Sequence, residues 1–226
     1  MDSPAVRLDL GALVGRHFDA VLFDMDGTLI DSHAVSEAAW RVWAAEHDVD
    51  VARVSGIAGR PAAEVVRDVM AADRVAAGLA RIEQLEIDGS HEGIEVLAGT
   101  ARALGDIPAE RIAIVTSCTR ALLAARLAAS RLRHPEQIVT VDDVEHGKPA
   151  PDPFLEGARR LGFEPARCLV VEDAPSGLTA GRAAGCTTLA VGHTHHHGDL
   201  DADAWAPDLE HVRFIARPEG IAVSPA

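Results

Sequence analysis

A short apolar run that ends in two closely spaced carboxylates constrains this chain more than any other feature. Residues 21–23 are Val-Leu-Phe without polar alternation, which predicts a strand buried on both faces. Asp24 and Asp26 follow directly, and Gly27 allows the backbone to turn sharply. Two carboxylates beside a buried strand are costly unless they bind a cation or take part in chemistry. The pattern favours a site for a divalent metal and a phosphoryl group over the alternative, an acidic turn that only caps the next helix.

The order of the predicted elements indicates an α/β fold. After about residue 99, apolar runs such as 111–117 and 187–192 alternate with helical periodicity, which predicts a doubly wound parallel sheet. Residues 32–99 show helical periodicity without a convincing strand, so they are predicted to be a helical insertion. The predicted domains are therefore a core of residues 1–31 and 100–226 and an inserted helical domain of residues 32–99. The acidic tail after about residue 198 is predicted to be a loop followed by two short edge strands, 213–217 and 220–223.

The net charge and the cysteine content disfavour several kinds of binding partner and cellular location. A formal net charge of −14 and a pI of about 5.1 disfavour nucleic acid and anionic membranes as partners. No apolar run approaches the length of a membrane span, and the first residues lack the pattern of a signal peptide. Three cysteines without a CxxC motif favour a reduced protein without disulfides, so the sequence predicts a cytoplasmic location.

Polar residues follow four of the predicted strands, at the edge where open parallel sheets bind ligands. Lys148 is the only lysine in the chain, which suggests that a compact ammonium group is needed at its position. Four separate segments thus bring carboxylates, hydroxyls and one cation to the same edge. The residues are Asp24 and Asp26 after the first strand, Thr116 and Ser117 after the second, Lys148 after the third, and Glu172 and Asp173 after the fourth.

This constellation predicts phosphoryl transfer to a carboxylate. Because a phosphate monoester dianion repels an acidic cluster, a divalent cation such as Mg²⁺ is expected between them, with Asp24 and Asp173 as its best ligands. Lys148 and the Thr116 hydroxyl would balance charge on the transferring oxygens. Asp24 would attack phosphorus to give an aspartyl-phosphate, and Asp26 would protonate the leaving alcohol and then activate water.

Four ordered motifs resemble those of the haloacid dehalogenase superfamily. They are DMDGTLIDS at 24–32, VTS at 115–117, Lys148 in HGKPAPDPF, and VVEDAPSG at 170–177. The resemblance is to the phosphatase branch, and it implies a Rossmann-like core, a helical cap that closes over the substrate, and Mg²⁺. It also implies the roles of the site residues: Asp24 as nucleophile, Asp26 as acid and base, Thr116, Ser117 and Lys148 as phosphate site, and Asp173 as metal ligand. Glu172 would be a further metal ligand or a residue that holds a metal ligand in place. The candidate metal ligands are therefore Asp24, Asp26, Asp173 and Glu172.

Within that superfamily, segments 116–120, 146–153 and 172–186 are similar to those of sugar-phosphate and glycerol-phosphate phosphatases. The predicted function is a Mg²⁺-dependent phosphatase acting on a small phosphorylated sugar, polyol or related metabolite. The alternative is a mutase that resembles β-phosphoglucomutase, although Ser36 stands where those relatives carry a cap histidine. A non-catalytic phosphoacceptor module is a third possibility, which the helical insertion disfavours.

Two further features bear on binding. Arg60, in the motif IAGRP, is the predicted specificity residue because the relatives place an arginine after a glycine there; the alternative is an ordinary surface arginine. The histidine-rich run 193–197 looks like a metal site, but consecutive histidines rarely converge on one ion. The expected partner is a small phosphorylated metabolite, not nucleic acid or membrane, and the protein is expected to be a monomer or weak dimer.

Overall fold

The structure, a computed structural model, describes residues 8–57 and 59–226. Its strands are β1 (Ala20–Phe23), β2 (Ile30–Asp31), β3 (Glu95–Val96), β4 (Ile112–Val115), β5 (Gln137–Val139), β6 (Cys168–Glu172), β7 (Thr187–Val191), β8 (Ala204–Ala206), β9 (Val212–Arg217) and β10 (Gly220–Pro225). Its α-helices are α1 (His33–Glu46), α2 (Ala62–Val69), α3 (Val75–Gly89), α4 (Thr100–Asp106), α5 (Arg120–Ser130), α6 (Asp152–Leu161) and α7 (Pro175–Ala183). Helices and strands thus alternate along the second half of the chain, as the sequence predicts.

Six parallel strands form the central sheet in the order β5-β4-β1-β6-β7-β8. The chain begins at the interior strand β1, moves outward through β4 and β5 on one side, and then returns to build β6, β7 and β8 on the other. Such a reversal of direction opens a crevice at the carboxyl ends of the strands, where α/β sheets bind ligands. The structure confirms the predicted α/β fold, a Rossmann-like doubly wound parallel sheet with an inserted helical cap.

Strand β1 is buried on both faces because its side chains alternate between two apolar clusters. Val21 and Phe23 pack with residues of α4 and α5, whereas Ala20 and Leu22 pack with residues of α6 and α7. The Phe23 ring also meets the ring of Phe214 edge-on, with 5.5 Å between centroids. Helices on both faces therefore explain why this strand is apolar without alternation.

Helices α1, α2 and α3 have an apolar cluster of their own, separate from the two clusters of the sheet. Trp40 and Trp43, one turn apart on α1, are both buried in it, and their rings pack edge-on at 5.3 Å. The Trp43 indole donates to the Gly78 carbonyl at 2.8 Å, which ties α1 to α3. A separate cluster is what an inserted helical domain needs, and the limits 32–99 given to it remain a prediction.

Within the segment of helical periodicity, residues 61–87 do not form one continuous helix, because the chain breaks between α2 and α3. Met70 takes an extended conformation there, with ψ of 151°. The break lets α2 fold back on α3, where the absent side chain of Gly78 leaves room for the Met70 sulfur.

The sequence analysis missed three short strands, β2, β3 and β8. The tail predicted as a loop contains β8, which pairs with β7 in the central sheet. Asp203, next to β8, accepts hydrogen bonds from the backbone N–H and the hydroxyl of Thr188 on β7. The predicted edge strands do form, as β9 and β10, but they pair with each other in a separate antiparallel sheet. Residues 95–96, in the segment predicted to lack strands, pair with 30–31 where the chain leaves and re-enters the core.

Cys118, Cys168 and Cys186 are buried and form no disulfide. Across the described ranges, no helix is long and apolar enough to cross a bilayer.

The loop after β5 is held by the carboxylate of Asp143. One of its oxygens accepts the backbone N–H and the hydroxyl of Thr140, at 2.9 and 2.7 Å, and the other lies 2.9 Å from Arg160. Burial alone would raise the pKa of Asp143, but these hydrogen bonds outweigh it and hold that pKa well below its usual value. This loop leads to Lys148, so Asp143 helps to place the lysine.

We expect Asp143→Asn to lower the free energy of unfolding by about 1–2 kcal/mol at pH 7. Because the folded-state pKa is depressed, this stabilisation is present above about pH 4, the unfolded pKa, and is lost as the pH falls through the folded value. Urea unfolding between pH 3 and pH 7 should show that the difference in unfolding free energy between the two proteins is constant above about pH 4 and begins to shrink below it. The neighbouring Asp142→Asn, whose amide oxygen can still accept from the Arg120 N–H, is the matched control and should cost less. A loss for Asp143→Asn that does not depend on pH would contradict this account.

Candidate active site

The carboxyl ends of β1, β4 and β6 meet beside the inserted helices and form one pocket. Asp24 directly follows β1, Ser117 follows β4, Glu172 ends β6 and Asp173 directly follows it. Lys148 reaches the same pocket from the loop after β5. Of the strand-end residues that the sequence predicted to converge, Asp24, Asp26, Ser117, Lys148, Glu172 and Asp173 line this pocket, whereas Thr116 does not.

Lys148 is buried between two carboxylates. Its ammonium group lies 2.5 Å from Asp24 Oδ1 and 2.8 Å from Glu172 Oε1, and it donates to the Val115 carbonyl at 2.9 Å. Burial would lower the pKa of Lys148, but the charges of Asp24 and Glu172 outweigh it and raise that pKa above its usual value. Lys148 therefore stays protonated and uses all three of its hydrogens.

Asp24 and Asp173 lie in a strongly negative environment. Burial is the largest cause that raises the pKa of Asp24 well above its usual value, and the nearby charges of Glu172 and Asp173 add to it, against the opposing effect of Lys148. Burial, followed by the charge of Glu172, likewise raises the pKa of Asp173. One ammonium group does not offset three buried carboxylates, so the cluster has an excess of negative charge.

These carboxylates fit a divalent metal ion. Ligand oxygens of Asp24, Glu172 and Asp173 lie within 4.8 Å of one another, the only such group of three candidate ligands within residues 8–57 and 59–226. Hard divalent cations such as Mg²⁺ take oxygen ligands, and a cation would offset the excess charge. The turn at Gly27, with φ of +86°, packs so closely against the Asp173 carboxylate that a side chain at this position would overlap it. Asp173 is also held by the hydroxyls of Thr28, at 3.2 Å, and Thr194.

Glu172 has both carboxylate oxygens occupied by donors of this chain. Oε1 accepts from Lys148, and Oε2 accepts the backbone N–H groups of Asp173 and Ala174, each at 2.8 Å. These contacts suit a residue that holds the lysine and the turn after β6. The alternative role of metal ligand stays a prediction.

The side chain of Asp26 points away from the acidic group, toward helix α5. Its Oδ1 accepts from the Ser32 hydroxyl at 2.7 Å, and its Oδ2 lies 2.7 Å from Arg126 and 3.1 Å from the Cys118 sulfur. The carboxylate is therefore not in the cluster of candidate metal ligands, and any ligand from this residue would have to be its main-chain carbonyl.

Arg126 and Glu86 are pocket residues that the sequence analysis missed. Arg126 is buried and bridges Asp26 to Glu86 of α3, whose Oε1 lies 3.2 Å from its second terminal nitrogen. The charge of Asp26 is the main cause that raises the pKa of Arg126, against the effect of burial. The available signal was spacing: residue 126 falls one turn after Leu122, on the buried face of α5.

The remaining predicted residues fall in different surroundings. Thr116 is buried, and its hydroxyl accepts the Cys118 N–H at 3.1 Å, whereas Ser117 is exposed and lines the pocket. Arg60 also lines the pocket, but it is exposed and its guanidinium lies 2.6 Å from Asp68. The phosphate-site and specificity roles of these residues remain predictions.

The histidine-rich run does not converge on one point. His193 lies 3.3 Å from Asp31, and His197 packs edge-on against the Trp205 ring at 4.9 Å between centroids. His195 lies 3.1 Å from the main-chain carbonyl of Asp173. These three side chains have three separate partners.

Comparison with known proteins agrees with this geometry. The family model of the haloacid dehalogenase-like hydrolases matches residues 18–185. Hexitol phosphatase A of Escherichia coli (strain K12) is 38% identical over 206 residues, which cover 88% of this chain and 95% of that protein. Glycerol-1-phosphate phosphohydrolase 1 of Saccharomyces cerevisiae is 34% identical over 202 residues, 81% of this chain and 77% of that protein.

A solved structure shows the same architecture. A hydrolase from Pseudomonas syringae superimposes with a TM-score of 0.72 at 27% sequence identity, covering 80% of this chain and 88% of that one. The likeness extends over most of both chains, so it includes the sheet and the inserted helices together.

A glycine substitution tests whether Glu172 organises the site. An added Cβ at Gly177 in α7 would overlap the Glu172 carboxylate. We expect Gly177→Ala to push Glu172 away from Lys148 and to lower the free energy of unfolding by about 1–3 kcal/mol. Urea denaturation measures this.

Gly105→Ala in α4 is the matched control, because nothing lies within 4 Å of an added Cβ there. It should be neutral or stabilise the protein by up to about 1 kcal/mol. Equal effects of the two substitutions would show that the contact with Glu172 does not matter.

Proposed function

The chain belongs to the haloacid dehalogenase-like hydrolases and is a phosphoric monoester hydrolase, and we propose that it is a Mg²⁺-dependent phosphatase of a small phosphorylated sugar or polyol. Its relatives include proteins named as phosphatases of hexitols and of glycerol-1-phosphate. We also propose that residues 32–99 act as the cap over this site, and that the protein works in the cytoplasm.

The observation that carries the proposal is the buried cluster around Lys148. Two strand ends place Asp24, Glu172 and Asp173 within one cluster of ligand oxygens, and the chain's only lysine sits among them. A cluster with excess negative charge beside an open pocket suits a phosphate group bound through a cation.

Asp24 is the proposed nucleophile. Lys148 holds its Oδ1, and its Oδ2 accepts no hydrogen bond from the residues that the structure describes, although Asp24 lines the pocket. A carboxylate oxygen that is free toward the pocket can attack phosphorus and form an aspartyl-phosphate, while the ester oxygen leaves. The ammonium of Lys148 keeps the other oxygen in place.

Asp26 is the proposed acid and base. It would give a proton to the leaving alcohol oxygen and later take one from the water that hydrolyses the aspartyl-phosphate. Its contacts with Ser32 and Arg126 hold the carboxylate on the wall of the pocket next to Asp24. Asp26 lies two residues after Asp24 on the same turn, and both residues line the pocket in which the substrate would bind.

The phosphate oxygens would meet the hydroxyls of Thr116 and Ser117, and they would meet Lys148 once it exchanges one of its three present acceptors for a phosphate oxygen. A bound Mg²⁺, held by Asp24 and Asp173, would neutralise charge on the phosphoryl group and on its transition state. Glu172 is proposed to act indirectly, by holding Lys148 in position. Arg60 is proposed to contact the substrate from the cap once it releases Asp68.

The alternative function, a phosphosugar mutase, would be expected to have a histidine that this chain does not carry at the corresponding position. Position 36, where the mutase relatives are expected to carry a histidine, is a serine whose hydroxyl donates to Glu86 at 2.7 Å. No imidazole is therefore available at that position to move a proton in the cap.

The test is phosphate release from hexitol, glycerol and sugar monophosphates, measured with Mg²⁺ and with a chelator. We expect metal-dependent release, and we expect Asp24→Asn to lower kcat by at least about a thousandfold, the scale on which a nucleophile is lost. Asp142→Asn is the matched control, because Asp142 caps α5 and should leave kcat within about twofold.

The outcomes separate the alternatives. Interconversion of glucose phosphates without release of phosphate would support the mutase. A phosphorylated Asp24 that persists without turnover would support a signalling module. Full activity of Asp24→Asn would reject the proposed nucleophile.

A further inference from the structure

We propose that Glu86 selects the substrate: its carboxylate accepts hydrogen bonds from the hydroxyl groups of a neutral polyol or sugar chain and disfavours chains that carry a second acid group. This inference rests on the proposed phosphatase function and names the substrate class of the same site. Nothing in the catalytic roles above requires a carboxylate at position 86.

Glu86 is buried but has one free oxygen. The residue is 8% exposed, and it lines the pocket that contains the acidic cluster. Its Oε1 accepts from Ser36 at 2.7 Å and from Arg126 at 3.2 Å. Its Oε2 accepts no hydrogen bond within the described part of the chain, and protein atoms do not enclose it. A carboxylate oxygen that has no donor from the protein and is not enclosed by it can accept a hydrogen bond from a ligand hydroxyl.

Glu86 also lies close to Asp26, the proposed acid and base. The guanidinium of Arg126 bonds Glu86 with one nitrogen and Asp26 with the other, the second at 2.7 Å. Glu86 is thus one side chain beyond the proposed acid and base. A phosphate ester whose leaving oxygen sits at Asp26 extends its carbon chain along this wall.

The surrounding wall suits a hydroxylated chain. Ser36 adds a hydroxyl, and Trp40 and Leu122 add apolar surface, so polar groups and carbon atoms of a polyol both find partners. A second acid group on the substrate would instead face the Glu86 carboxylate away from water, where like charges repel strongly.

The experiment compares esters of equal chain length with and without hydroxyls. It measures kcat/KM for glycerol phosphate against propyl phosphate and for hexitol phosphate against hexyl phosphate. In the wild type we expect each hydroxylated ester to be preferred by about tenfold to a hundredfold, the scale of a hydrogen bond to a charged group. In Glu86→Leu we expect that ratio to fall close to one.

A second variant separates charge from hydrogen bonding. Glu86→Gln keeps an oxygen acceptor but loses the charge, so it should retain most of the preference for hydroxyls. Its kcat/KM for phosphoglycerate relative to glycerol phosphate should rise at least about fivefold. This variant also decides the question if Glu86→Leu fails to fold.

Glu83→Leu is the matched control. Glu83 lies on the same helix, also reaches from the inserted helices to the core through the Thr119 hydroxyl, and does not line the pocket. Its substrate ratios should equal those of the wild type even if its stability falls.

Several results would overturn the inference. An unchanged hydroxyl preference in Glu86→Leu, or an equal change in Glu83→Leu, would show that Glu86 only supports Arg126. Hydrolysis of phosphoglycerate but not of polyol phosphates by the wild type would leave the phosphatase intact and reject this substrate class. Hydrolysis of no ester, para-nitrophenyl phosphate included, would reject the proposed function itself and this inference with it.

Discussion

The burial of one ammonium group among oxygen acceptors determines how the site is assembled. Lys148 joins three strands at once, since Asp24 directly follows β1, Val115 ends β4 and Glu172 ends β6. Removing an ion from water costs several kcal/mol, and the cost is recovered only when the partners stand at hydrogen-bonding distance. The relative positions of the three strand ends are therefore coupled to the lysine, and the same contacts set the distance between the proposed nucleophile and Asp173.

Much of this arrangement could be predicted because it follows apolar runs. A buried strand leaves a clear trace in the sequence, and the polar residue that ends it is easily located, as for Asp24 and Glu172. Arg126 could not be located in this way, because an arginine in a helix that contains several looks like a solvent-facing residue until its neighbours are known. Strand β8 is only three residues long and lies between acidic residues, so its periodicity is too short to recognise. Arg126 and Glu86 can thus be recognised as site residues only from the packing of α3 against α5. A local sequence pattern does not contain that packing.

The inserted helices are joined to the core by polar contacts of two kinds. Helix α3 meets α5 through Glu83 with Thr119 and through Glu86 with Arg126. On the far side of the pocket, the Ser176 hydroxyl donates to the main-chain carbonyl of Gly59 at 2.5 Å. The first contact involves a buried ion pair and the second a single exposed hydrogen bond, so the two sides differ in strength.

The central position of β1 affects how this protein can be made. The strand that bears Asp24 is the first of the sheet to leave the ribosome, yet its two partners are β4, near residue 112, and β6, near residue 168. Until β6 has been synthesised, an apolar strand and its carboxylates have no neighbour on one side. Pairing over such long separations slows folding and leaves apolar edges exposed in the meantime. The inserted helices, with contacts close in sequence and an apolar cluster of their own, can form during that interval. The nascent chain can therefore form the helices proposed to cover the substrate before the strand ends of the proposed active site come together.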